Sequence, residues 1–258
     1  MEDEKIFDRV EKKYLITPTI RRVLLRTIKK NMKPDSYFKS SIYNIYFDTN
    51  NYDLITQSID HPIFKEKFRA RSYDGYDKVF LEIKTKLLGS ALRRDVLEND
   101  GITKDNNIGY KRRILINKQD FEDLIKGKAT ALDLAKRNIE TRNDIQIAKE
   151  IDYFMSHFKL KPKILLYYDR ESYIGDNDLR VTFDENLKYR NKQLKFVKNS
   201  LDKTFFKDDK NIIMEIKAKS ALPLWLVKVL STEHIYPQRF SKIDKIYERI
   251  YNTNERRK

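Results

Sequence analysis

The chain has 258 residues, a net charge of +15, 40% hydrophobic and 12% aromatic residues, and no cysteine. That apolar content supports a folded core despite 36% charged residues, and the lack of cysteine excludes disulfides and thiolate metal sites. So positive a balance favours polyanionic partners, whether nucleic acid, anionic lipid or phosphates.

The opening MEDEKIFDRV is charged and is not a signal peptide. Residues 8–16 (DRVEKKYLI) read as a strand with Glu11 and Lys13 on one face, and Thr17-Pro18 begins a helix with Ile20, Val23, Leu24 and Ile28 as its apolar stripe. Pro34 is expected to end that unit. A strand over 41–49 (SIYNIYFDT) and a short loop lead to a β-hairpin over 67–86, turning at Asp74-Gly75. Residues 89–107 read as a loop, 110–116 (YKRRILI) as a strand, and Asn117 as the cap of the first of three helical stretches reaching Phe158. Two strands separated by Gly175-Asp176-Asn177 follow. After a weakly patterned stretch over 186–210 come a strand over 212–219 (IIMEIKAK), an apolar helix from Pro223, and a loop-to-helix segment over 237–247. The apolar run 221–230 is short and broken by Lys228, so no segment spans a membrane and a soluble, cytoplasmic protein is expected. About eight strands with helices between them make one α+β domain over 1–258, with its core at about 7–250.

Several chemistries drop out. The six glycines form neither a phosphate-cradling loop nor GxGxxG, no serine sits in a GxSxG elbow, and the three histidines are far apart. What recurs is one charged strand face: Glu11 and Lys13; Lys67, Arg69 and Arg71; Glu82, Lys84 and Lys86; Lys111 and Arg113; Arg180; Glu215, Lys217 and Lys219. Side chains alternate faces with period two, and the opposite faces are mostly apolar. With helices over the apolar side, the charged side either looks to solvent or lines a closed antiparallel barrel. By this chemistry alone, a polar sheet surface and a cationic phosphate tunnel both stand.

The succession EKKY (11–14), IYFDT (45–49), RAR (69–71), LEIKTK (81–86), YDR (168–170), LRVTFD (179–184), MEIK (214–217) and RFSK (239–242) resembles the VTC domain, the polyphosphate polymerase domain of the triphosphate tunnel (CYTH-like) superfamily. The resemblance covers residues 7–250. It implies an eight-stranded antiparallel β-barrel tunnel with helices packed outside, holding ATP, a growing inorganic polyphosphate chain and a divalent ion, Mn²⁺ or Mg²⁺. Carried over by position, it places Lys13, Arg69, Arg71, Lys84, Arg180 and Lys217 in the catalytic set and Glu215 on the metal. Arg170, Arg239, Ser241 and Lys242 join the substrate-binding set, with Lys111 and Arg113 from the same charged strand face. Arg239 stands where the family often has lysine. Arg170 shares parity with Leu166 and Tyr168, so an inward orientation needs a bulge or a particular register.

The expected activity is transfer of the ATP γ-phosphate to a polyphosphate chain. The alternatives are a tunnel triphosphatase or a non-catalytic polyphosphate- or nucleic-acid-binding module. Hydrolases of the superfamily typically show ExExK on the first strand, whereas Glu11-Lys12-Lys13 has lysine in place of the second glutamate. Specific nucleic-acid binding is not expected, because the cations are spread over many strands rather than gathered on one helix or stacking platform. A separate membrane partner is an open role, since the fungal members' regulatory and membrane segments have no counterpart here.

Overall fold

A computed structural model describes residues 10–60, 63–75, 77–87, 108–138, 141–206, 211–219, 221–239 and 241–255. Its frame is one antiparallel sheet of β1 (Val10–Ile16), β2 (Lys33–Asp48), β3 (Phe64–Tyr73), β4 (Lys78–Leu87), β5 (Ile108–Asn117), β6 (Lys161–Ile174), β7 (Arg180–Arg190), β8 (Lys203–Thr204) and β9 (Ile212–Ala218). Eight of these run in the order β1-β9-β7-β6-β2-β3-β4-β5, and the two-residue β8 pairs with β7. The helices are α1 (Pro18–Asn31), α2 (Asp53–Asp60), α3 (Lys118–Ile125), α4 (Ala131–Asn138), α5 (Arg142–His157), α6 (Leu224–Thr232) and α7 (Lys242–Glu255).

The local chemistry is that of the sequence signals. Thr17 accepts a hydrogen bond from the Ile20 amide at 3.3 Å and Pro18 fills the first turn of α1. Asn117 accepts from the Asp120 amide at 2.7 Å to cap α3. The β3–β4 turn needs left-handed backbone at Asp74 and Gly75, with φ of 52° and 71°, which is where glycine costs least.

Strand parity then separates two environments. On the outer face Tyr43, Ile45, Phe68, Ala70, Val79, Leu81, Ile83, Ile114 and Ile116 pack against α3, α4 and α5. Tyr14, Val181, Phe183, Met214 and Ile216 pack against α1 and α6. With so much apolar surface covered from outside, the charged faces turn together toward the concave side.

Four expectations change. Pro34 does not end the helical unit; α1 stops at Asn31, and Pro34 lies inside β2, whose pairing with β6 shifts between Pro34 and Lys39. The segment after β2 is not merely a loop: buried Asp48 accepts from the amides of Leu54 and Ile55, both at 3.0 Å, and this caps α2. Residues 191–206 are ordered around buried Arg190, which donates to the carbonyls of Gln193, Lys195 and Val197 and to Asp202. Finally, α7 is not outside. Ile243, Ile246 and Ile250 pack on Ile42, Tyr46, Ile164, Leu166 and Tyr168, side chains of the inner parity, so α7 fills one end of the concave side.

Among the described residues no hydrogen-bonded ladder joins β1 to β5, so the barrel is not sealed by backbone. The edge of β1 is met instead by the segment before α7, where the Gln238 amide donates to the Lys13 carbonyl at 2.7 Å. The loop expected over 89–107 lies outside the described residues.

Candidate functional site

Strand register sets the inner wall. Lys67 stands opposite Lys84, and Lys84 opposite Lys111; Arg69 faces Glu82, and Glu82 faces Arg113. At the other end of the sheet Lys13 pairs with Glu215, Glu11 with Lys217, and Lys217 with Arg180. These groups are far apart along the sheet, yet the charge on Lys84 of β4 is felt by Glu11 on β1 and is opposed by Lys13 and Lys217. Side chains of β1, β9, β4 and β3 therefore surround one lumen.

Its charges are partly paired. Glu82 is fully buried; its Oε2 accepts from Arg69 Nε at 2.8 Å and Nη2 at 2.6 Å, and Arg113 Nη1 lies 4.0 Å from Oε1. Burial raises the Glu82 carboxyl, but Arg69 and Arg71 outweigh it and hold the group at about 2. Arg69 also donates to the Tyr46 hydroxyl at 3.3 Å, and Arg71 to Asn44 at 2.8 Å. Lys13 and Lys217 each lie 3.0 Å from a carboxylate, Glu11 and Glu215 respectively. Against burial, Lys217, Lys13, Arg170 and Lys242 hold Glu215 well below the usual carboxylate range. Lys84 has no ion-pair partner among the described residues; its side chain is exposed to the lumen, but the surrounding protein desolvates its ammonium and pushes it down to about 8. Burial likewise lowers Lys65, Lys86 and Lys111.

All the expected residues on the strands share this inner face, but they are not equivalent. Arg170 is deep: it forms a two-pronged pair with buried Asp184, at 2.6 and 2.8 Å. The expected bulge in β6 is not required, because Leu166 and Tyr168 are themselves inner residues under α7; the register shift between Tyr167 and Asp169 places its extra residue on β7. Arg180 sits nearer the rim, 48% exposed at its side chain and held by Ser172 and Asp35. Lys111 and Arg113 stand at the β5 edge, Arg113 over the Phe80 ring at 4.6 Å. Lys242 donates to Asp184 at 2.5 Å and sits over the Tyr168 ring at 4.5 Å, while Ser241 accepts from Lys67 Nζ at 3.1 Å. Arg239 is exposed on the segment before α7, where its charge reaches Lys65 and Lys86.

Sequence reasoning missed the partners that tune these cations. Asp184 holds Arg170 and Lys242, Asp244 takes Lys67 at 2.6 Å, and Tyr46 and Asn44 orient the arginines. Asp184 shares parity with Arg180, the signal that could have found it. Asp244 gave no such signal, because nothing in a helix pattern says which face of a sheet it will meet.

Glu11 and Glu215 are diagonal neighbours on β1 and β9; burial and the Glu215 charge act to raise the Glu11 carboxyl, but Lys13, Lys217 and Lys84 outweigh them and hold it low. Among the described residues no group of three acidic, histidine or cysteine side chains could cage a metal. Two carboxylates do fit an ion of the magnesium kind, which keeps its waters and takes further oxygens from bound phosphates.

An eight-stranded antiparallel sheet curled around a cationic lumen, with helices on its outer face and α7 at one end of the concave side, has the fold of the triphosphate tunnel class. The VTC domain model matches residues 8–249, and the chain belongs to that family. Among solved structures it is similar to HpAC1 from Hippeastrum, provisionally an adenylyl cyclase and described as having dominant triphosphatase activity. That likeness is at 15% identity and TM-score 0.51, over 91% of this chain and 93% of that one. A protein from Bacillus halodurans, provisionally named an adenylate cyclase, matches at 12% identity and TM-score 0.46, over 91% and 95%.

Proposed function

We propose that this protein is a polyphosphate polymerase that transfers the γ-phosphate of ATP to the end of an inorganic polyphosphate chain. The observation that carries the reading is the length of the cationic wall. From Lys65 to Arg71 alone the inner face of β3 runs six residue steps, about 20 Å at the rise of a strand. Arg180, Lys217 and Lys13 continue the lining on β7, β9 and β1. A triphosphate alone would use only part of it.

In this reading a terminal oxygen of the chain attacks the γ-phosphorus in line, the bond to the bridging β–γ oxygen breaks, and ADP leaves. Arg69, Arg71 and Arg170 donate to equatorial oxygens as charge gathers there, fixed in advance by Glu82, Asn44 and Asp184. Lys13, Lys84, Lys217 and Lys242 neutralise the flanking phosphates, with Lys111 and Arg113 along the β5 edge, Arg239 and Ser241 on the segment before α7, and Arg180 at a rim. Glu215, with Glu11 beside it, would hold a Mn²⁺ or Mg²⁺ ion, whose chemistry is to bridge phosphate oxygens and offset their charge. No protein nucleophile is required, which suits a chain without cysteine whose described histidines, His157 and His234, are exposed away from the lumen.

The triphosphatase reading keeps a claim through the same two carboxylates, which would suit a metal-bound water acceptor. Incubation of the protein with ATP and Mn²⁺, with products resolved by size, separates the two. Polymerase activity gives ADP without matching orthophosphate, and a long product that preformed polyphosphate primes. One orthophosphate per ATP with no long product, at any primer or metal concentration, assigns the hydrolase instead. Tight polyphosphate binding without turnover of ATP assigns a storage or binding module.

A further inference from the structure

α1 and α6 pack side by side on the outer face of the sheet, sharing the cluster of Leu24, Ile28, Leu226 and Leu230. Neither contains an aspartate or a glutamate, although the chain has 39 and each of the other five described helices carries at least one. Arg22, Arg26, Lys29 and Lys30 of α1 and Lys228 of α6 are exposed. Beside Lys228, and on its helix face by i, i+3, i+4 spacing, Leu224 is 86% and Val227 41% exposed; Tyr236 just beyond is 68% exposed. Trp225 is partly buried at the edge of the same core. Of the carboxylates next along the chain, Asp35 is bound to Arg180 and Glu233 follows α6.

Exposed apolar side chains among cations, with no anion on either helix, are complementary to a bilayer that presents negative headgroups. The apolar groups enter the headgroup–acyl boundary while Lys and Arg meet the lipid phosphates and carboxylates. A second copy would bring the same five cations against these, which disfavours self-association. We propose that the α1–α6 face docks this protein peripherally on anionic phospholipid membranes. No described helix is long and apolar enough to cross one.

Trp225 is the only tryptophan of the chain, so its emission reports on this face directly. The full chain is sedimented with vesicles of phosphatidylcholine alone or phosphatidylcholine with phosphatidylserine. The expected result is about tenfold or more binding to the anionic vesicles, a blue shift of Trp225, and retention when tripolyphosphate saturates the lumen. The double variant Leu224→Glu/Val227→Glu should lose both signals while keeping the parent's phosphate binding. Arg22→Glu/Arg26→Glu, which leaves the apolar side chains in place, should weaken sedimentation and is the second line if the first variant misfolds. The proposal is overturned by equal binding to neutral vesicles, or by no binding. It is overturned equally by competition from tripolyphosphate, which would place the lipid on the lumen cations. A concentration-dependent dimer that Leu224→Glu abolishes would assign the face to a second copy instead.

Discussion

Arg69 directs both Nε and Nη2 at one oxygen of Glu82, leaving the other carboxylate oxygen without a hydrogen bond in a fully buried position. The carboxylate therefore fixes the arginine fork without using up its own capacity, and one face of Arg69 remains for a phosphate. Glu82→Gln keeps the shape and removes the charge. Because breaking a buried pair by changing one partner costs about 3–5 kcal/mol, a marked loss of denaturation free energy is expected, together with tighter tripolyphosphate binding at low salt. Unchanged stability in urea melts would show the pair to be ornamental. The sign with pH follows from a folded pKa of about 2, below the ordinary carboxylate value: the stabilisation is full above the unfolded pKa and is lost as pH falls toward about 2.

Lys84 supplies a second pH window. Its ammonium is pushed down to about 8, below its unfolded value of 10.5, so charging it opposes folding below about 8 and that penalty lifts as pH rises through the window. A polyanion in the lumen favours the ammonium, so binding should take up a proton between about 8 and 10.5. Calorimetry of tripolyphosphate binding near pH 9, in buffers of different ionisation heat, measures that uptake. Lys84→Arg, always charged, should reduce it, leaving the smaller share of Lys65, Lys86 and Lys111, and should flatten the fall in affinity across the window.

Arg170 and Arg180 should separate in mutagenesis. Arg170 is largely covered, 19% exposed at its side chain, and two-pronged on Asp184, whereas Arg180 is 48% exposed at the rim and committed to Asp35 and Ser172. Losing a charge-assisted donor from a dry site costs about 2–4 kcal/mol of transition-state stabilisation, so Arg170→Ala and Arg69→Ala should each lower kcat by roughly 30- to 1000-fold. Arg180→Ala should change kcat by less than about tenfold and act mainly on KM. Equal losses at the two positions would contradict the depth assigned to them.

Glu215→Gln tests the metal. The carboxylate is nearly buried and surrounded by Lys217, Lys13, Arg170 and Lys242, so neutralising it leaves the cations intact. Turnover that depends on Mn²⁺ should disappear, while polyphosphate binding in the absence of metal is retained or strengthened. Full activity in a folded variant would make Glu215 only a partner for Lys217.

How much of this was legible depended on period. Strand side chains repeat every two residues, so Lys67, Arg69 and Arg71, and Glu82, Lys84 and Lys86, could be put on common faces without coordinates, and the outward packing of Val79, Leu81 and Ile83 followed. Helix pattern carries no such address. Ile243, Ile246 and Ile250 announce an apolar stripe, but the inside of a barrel and its outside accept that stripe equally. α2 depends on Asp48 reaching amides six and seven residues ahead, and the order of 191–206 depends on one buried arginine gathering three carbonyls; neither leaves a periodic trace.

The unladdered seam between β1 and β5 has a mechanical consequence. A barrel closed by hydrogen bonds has its bore set by strand number and shear. Among the described residues no ladder fixes the bore across this seam, so the repulsion of Lys84 by Lys13 and Lys217 acts to widen it, and a bound polyanion would offset that repulsion.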